Sequence, residues 1–200
     1  MSTSMTPQTR DQLLRVTAQH HSLADQTFQS NIRLRQALNH RGITEYDTVL
    51  NVLEFIYLLQ ADVAALTHDL ALHPPSLRTN LYGRLLILTI HESALTLRGL
   101  LAVRFRRSFA ELVPDHTTDD ALKSAHSRIC TLFERSNAMF GAVRDGIVAH
   151  RHANADTRVA LLQQADVEKV ASLAIELLEI HGLLLPLMLQ YTRALTQKTS

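Results

Sequence analysis

The sequence predicts an all-α protein, an up-and-down bundle of four to five long helices forming one domain. Three observations predict it. Leu and Ala prevail over Val, Ile and the aromatics, a balance that favours helix over strand. Only 6 Gly and 5 Pro punctuate 200 residues. Apolar residues recur three and four positions apart, and no stretch shows the two-residue alternation of a strand. Hydrophobic residues make up 46% of the chain, which excludes a disordered protein and supplies a sizeable core.

The first helix is expected over residues 7–39, where Leu13, Leu14, Leu23, Phe28, Ile32, Leu34 and Leu38 make a thin apolar stripe. Arg41-Gly42 ends it. A second helix begins at Thr44, with Leu50, Leu53, Ile56, Tyr57, Ala61, Ala64 and Ala65 on its apolar face, and stops before Pro74-Pro75. Ser76 can cap a third, densely apolar over residues 81–103. Arg104, Arg106 and Arg107 follow as its basic end, and a loop surrounds Pro114.

Thr117 or Thr118, with two aspartates behind them, reads as a capped, acid-enriched start. That helix runs through Leu122, Ala125, Ile129, Leu132, Phe133, Met139, Phe140 and Val143 towards His150. Residues 152–157 form a polar loop or short turn. Ala165-Asp166 opens the last helix, with Val167, Val170, Ala171, Leu173, Ala174, Leu177, Leu178 and Leu184 on its core side. Pro186 should kink or end it. Residues 1–75 thus supply N-terminal helices, and 76–200 the rest of the same domain.

Charge narrows the function. A net charge of +1 at pH 7 lacks the strong basic bias of a protein that coats nucleic acid, so any such contact is local. Cys130 is the only cysteine, which rules out an internal disulfide and fits a reducing compartment; it reads as buried and inert. The apolar runs at 85–88 and 183–189 are short for a bilayer, and the polar first thirty residues do not read as a signal peptide. A cytoplasmic protein with no membrane partner is the expectation.

Spacing argues against cofactors. None of the eight glutamates has a His three residues on, as a di-iron bundle needs. His91-Glu92 lacks the second His of a zinc helix, while His150 and His152, and likewise the adjacent His20 and His21, point apart on a helix. No glycine-rich phosphate loop occurs. Neither metal nor nucleotide cofactor is expected.

One stretch stands out: Arg144-Asp145-Gly146-Ile147-Val148-Ala149-His150-Arg151. It resembles the motif of the HEPN superfamily (higher eukaryote and prokaryote nucleotide-binding), an Arg followed by Asn, Asp or His and then, after a few residues, by His. The form is most similar to HEPN proteins of abortive-infection and toxin systems, and the resemblance covers residues 81–189. Arg15, Arg33, Arg35 and Arg84 also precede a histidine at a suitable distance. Their next residues, Val16, Leu34, Gln36 and Leu85, break the pattern, and only Asp145 keeps it.

The resemblance implies a HEPN-like bundle, a homodimer with the motifs facing across its two-fold axis, RNA as substrate, and an antitoxin or other protein partner. The pair suits RNA chemically. The 2′-hydroxyl attacks its own adjacent phosphate, so the reaction needs no external nucleophile. His150 titrates near neutrality and moves the proton, and the Arg144 fork neutralises charge on the phosphoryl oxygens. Asp145 orients them.

Six residues on a helix turn through about 600°, leaving Arg144 and His150 about 120° apart around the axis. They converge where the helix ends near His150 or where a second copy completes the site, and the small Gly146 and Ala149 allow close approach. A purely structural reading stands beside this one. Arg144-Asp145 can be a solvated ion pair, and His150 and Arg151 can meet the negative end of the helix dipole.

Secondary candidates are Arg104, Arg106 and Arg107, which with Arg151 could hold RNA phosphates while Phe105 stacks on a base. The His91-Glu92 pair could face the motif helix and orient Arg144. The predicted function is a metal-independent HEPN-like endoribonuclease, a toxin or defence effector. The alternative is a non-catalytic helical dimer that binds nucleotide or protein.

Overall fold

The computed structural model describes the backbone of residues 5–72, 77–148 and 166–199, and the side chains of these except 20–23, 77–80 and 142–148. Six helices account for nearly all of it, and no strand occurs among the described residues: α1 (Pro7–His40), α2 (Asp47–Leu72), α3 (Leu77–Leu100), α4 (Val103–Leu112), α5 (His116–Val148) and α6 (Val167–Thr199). The all-helical bundle with five long helices follows the sequence. The ten-residue α4, which the sequence merges into the end of α3, does not.

Neighbouring staves are α1–α2, α2–α3, α3–α5, α5–α6 and α6–α1, a closed ring, with α6 also touching α2, α3 and α4. Cross-contacts fix the directions. Arg35 pairs with Glu54 and Thr17 with Thr67, so α1 and α2 are antiparallel. His91 meets Phe133 and His126 meets Arg98, so α3 and α5 are antiparallel. Arg128 meets Glu179 and Arg135 meets Glu176, so α5 and α6 are antiparallel too. Five alternating staves closed into a ring must contain one parallel pair, and here it is α1 with α6.

Local chemistry sets the ends of the elements. Thr6 caps α1, and Pro7 occupies its first turn, where a missing N–H costs nothing. At the other end the Ile43 N–H donates to the Leu38 carbonyl and the Gly42 N–H to that of Asn39. This Schellman turn needs a left-handed residue, and Gly42 supplies it with φ of 68°. Helix α5 starts earlier than expected because its cap is Asp115. Its carboxylate accepts from the Thr117 N–H at 3.1 Å and from the hydroxyls of Thr117 and Thr118. Asp166 accepts from the N–H groups of Glu168 and Lys169 and caps α6. Ser76, expected to cap α3, lies outside the described residues, as does the expected loop at 152–157.

Pro186 does not end α6, which continues to Thr199. The carbonyl it leaves without a donor belongs to Gly182 on the same side of the helix, where Pro186 is exposed and Gly182 half-buried, so water can serve it. The core runs through all six helices as one hydrophobic cluster. Its axis is α6, whose residues Val170, Ala171, Ala174, Leu177, Leu178, Ile180, Leu184, Leu185 and Leu195 are completely buried. Helix α5 contributes a seam of threes and fours, Thr118, Leu122, Ala125, Ile129, Leu132, Ser136 and Phe140.

On α2 the buried stripe is Leu53, Ile56, Gln60, Val63, Thr67 and Leu70. Ala61 and Ala65 are exposed, contrary to expectation, because they fall between the steps of that stripe, Ala61 one position after Gln60 and Ala65 two after Val63. By length and composition α2 and α6 could each cross a membrane, as could the bent pair α3–α4; in the fold the apolar faces of α2 and α6 are buried against neighbouring helices.

Candidate functional site

Residues 144–148 of the motif belong to the far end of α5. Its backbone is helical through Arg144, Asp145 and Val148, while His150 and Arg151 lie outside the described residues, as do the side chains of Arg144 and Asp145. By register, position 144 falls about 40° from buried Phe140, and position 145 about 140° from it. The two neighbours therefore belong to different sides of α5.

At this end of the bundle α1 and α6 begin together. The Thr6 N–H donates to the Glu168 carboxylate at 2.9 Å, and the hydroxyls of Thr6 and Thr9 donate to its other oxygen. A carboxylate between two helix N-termini is favoured by both dipoles. Burial pushes the Glu168 carboxyl up, but the bonds from Thr9 and Thr6 together outweigh it and hold it below its ordinary value of 4.5.

The α4 arginines stand at the opposite end. The chain breaks after Leu101, Ala102 is extended with ψ of −178°, and α4 departs at 62° from α3. The bend lets Phe105 and Phe109 lie across the end of the core. Their rings are 5.8 Å apart, and Phe109 meets Tyr191 at 4.8 Å. Phe105 is only 3% exposed, so it cannot stack on a base: its place on the apolar face of a short amphipathic helix commits it to the core.

The three arginines also diverge. Exposed Arg104 borders a hollow with α2 and α6, half-buried Arg106 lies near Asp119 of α5, and Arg107 is exposed. They are not the basic C-terminus of α3 but lie in the first half of α4, where cations oppose the helix dipole. From Asp119 to Arg144 the rise of α5 amounts to about 38 Å. Within one protomer, then, the α4 arginines do not join the motif.

Between the two ends lies a polar and aromatic line along α3 and α5. His91 is buried, and its ring meets Phe133 at 5.0 Å, while the Arg98 guanidinium sits 4.6 Å over the same ring. His91 thus faces α5, as expected, but about 16 Å along the axis from Arg144, too far to orient it. Glu92 is exposed on the other side.

Cys130 is half-buried rather than buried, with its Sγ 3.9 Å from Nε2 of His126. That nitrogen also lies 3.0 Å from the Arg98 carbonyl, which can only accept. The proton therefore sits on Nε2, and His126 has no lone pair there to activate the thiol. Among the described residues no group of three His, Cys, Asp or Glu side chains could hold a metal ion.

Sequence reasoning missed the hollow at the α4 end. It holds about 330 Å³ and is bordered by Glu45 and Tyr46 at the entry to α2, Arg104 and Glu111 of α4, and Tyr191 and Lys198 of α6. These residues are far apart in the chain and share no motif; only the bend before α4 assembles them. No protein-family model, no curated protein and no solved structure matches the chain.

Proposed function

We propose that the chain is a metal-independent endoribonuclease of the HEPN type, working as a homodimer and serving as a toxin or defence effector. One observation carries the reading: Arg144-Asp145 and His150 keep the HEPN spacing, and Arg144 and Asp145 lie at the end of α5, which among the described residues is the long helix before the last. Helical backbone through Arg144 and Asp145 adds support, since it sets both residues on one regular element. Within one protomer the α4 arginines lie too far along α5 to join Arg144.

In the proposed reaction the RNA 2′-oxygen attacks the adjacent phosphorus while His150 takes its proton. Arg144 meets the negative charge that builds on the non-bridging oxygens. The bond from phosphorus to the 5′-oxygen breaks, and that oxygen leaves as a free 5′-hydroxyl with the proton that His150 returns, which restores the neutral imidazole. The other product carries a 2′,3′-cyclic phosphate. Deoxyribose lacks the attacking group, so DNA is not cut. Asp145, about 100° round the helix from Arg144, is given the orienting role from the adjoining side of α5.

Induced expression tests the reading in cells. Wild-type protein should arrest growth, with total RNA fragmented, and His150→Ala at equal abundance should do neither. Equal arrest by His150→Ala, or full growth with intact RNA under wild-type expression, would leave the non-catalytic helical dimer as the better account.

A further inference from the structure

We infer that the hollow between the start of α2, α4 and the end of α6 is a binding site for a small amino acid, a molecule carrying both an ammonium and a carboxylate. Tyr191 carries the argument. It is 1% exposed, yet it borders the hollow, and its hydroxyl has no hydrogen bond to any described residue. The side chain is buried while its oxygen is open to the hollow, which places the hydroxyl to bond what enters it. Burial, then the nearby Tyr46, Glu111 and Glu45, push its ionisation upward, so it stays a neutral hydroxyl.

Charge around the hollow is balanced and separated. Glu45 and Glu111 both act on Tyr191 and on Lys198, which puts two carboxylates, one ammonium and the two tyrosines at one side. That side carries an excess negative charge. Arg104 stands two turns before Glu111 on the same face of α4, about 10 Å along the axis, with no ion pair among the described residues.

An entering ammonium is therefore drawn towards Glu45, Glu111 and the Tyr191 oxygen, and an entering carboxylate meets the Arg104 fork. A simple anion would face the two glutamates, and a simple cation Arg104 and Lys198. The size suits a small molecule. About 330 Å³ holds on the order of ten heavy atoms at roughly 30 Å³ each.

The 200-residue chain is titrated calorimetrically with the twenty L-α-amino acids, γ-aminobutyrate and ε-aminocaproate; the last two vary the distance between the charges. At least one should bind with Kd of about 1 mM or tighter. Its N-acetyl and C-amide derivatives, each with one charge removed, should bind at least about tenfold more weakly. Arg104→Ala and Glu111→Gln alter exposed side chains and should each weaken binding about tenfold. Tyr191→Phe keeps the ring against Phe109 and should weaken it about fivefold. No binding by any of these probes, equal binding of the single-charge derivatives, or unchanged affinity in Arg104→Ala and Glu111→Gln would overturn the assignment.

Discussion

The two ends of the bundle are fastened by opposite charges. Where α1 and α6 begin, the Glu168 carboxylate holds Thr6 and Thr9 across the parallel pair. Where they finish, the Arg41 guanidinium donates to the Thr199 carbonyl, and Lys198 sits 5.4 Å over the Tyr46 ring. Two parallel helices present two positive dipole ends at one end of the bundle and two negative ones at the other. An acid at the first and bases at the second answer them. The ends differ in cover as well. Among the described residues, the start of the pair has its side-chain clasp and the far end of α5 beside it, and the finish is roofed by α4 with Phe105 and Phe109.

The largest effect should come from the roof. Phe109 is 1% exposed and touches Phe105 and Tyr191, so Phe109→Ala should cost about 3–5 kcal/mol in urea unfolding. A loss below about 1 kcal/mol would mean that α4 lies on the bundle without closing it. Removing the cap of α6 by Asp166→Ala should cost about 1 kcal/mol, because two N–H groups lose their acceptor. Glu168→Gln should cost about 1 kcal/mol or less at neutral pH, since the group is partly solvated.

The smallest effects distinguish the ends by pH. The folded-state value of Glu168 lies below its ordinary 4.5, so its contribution is full above pH 4.5 and is lost as pH falls through the depressed value. The Tm gap between wild type and Glu168→Gln should close in acid. Lys198 behaves oppositely. Its hydrogen bond to Tyr46, then its attraction to Tyr46, Glu45 and Glu111, raise it above 10.5. Its contribution is full below pH 10.5 and is lost as pH rises through the raised value, so the Tm gap to Lys198→Met should close in alkali. If both gaps were flat with pH, the charges would not be what fastens the ends.

Much of the fold was legible because periodicity records burial. Val167, Val170, Ala171, Leu173, Ala174, Leu177, Leu178 and Leu184 were all nominated for the core of α6, and all are buried. What failed to show was chemistry without a pattern. Thr27 and Asn31 fill core positions of α1, and Asn31 does so by donating to the Leu50 carbonyl of α2 at 3.3 Å, a partner no local pattern reveals.

The break after Leu101 was hidden because Val103, Phe105 and Phe109 continue an apolar sequence across it, and only the need to roof the core turns the chain. For the candidate site the reverse holds. Arg144, Asp145 and His150 are contiguous and readable as a motif, while Tyr191, Arg104 and Glu111 meet only through the fold.

Cleavage of a labelled single-stranded RNA in the presence of EDTA, with the ends of the products identified, tests the central proposal most directly. Wild-type protein should yield 2′,3′-cyclic phosphate ends. His150→Ala, with unchanged Tm, should be at least about a hundredfold slower. Undiminished cleavage by His150→Ala, or no cleavage by the wild type, would contradict the assignment of RNA chemistry to the end of α5.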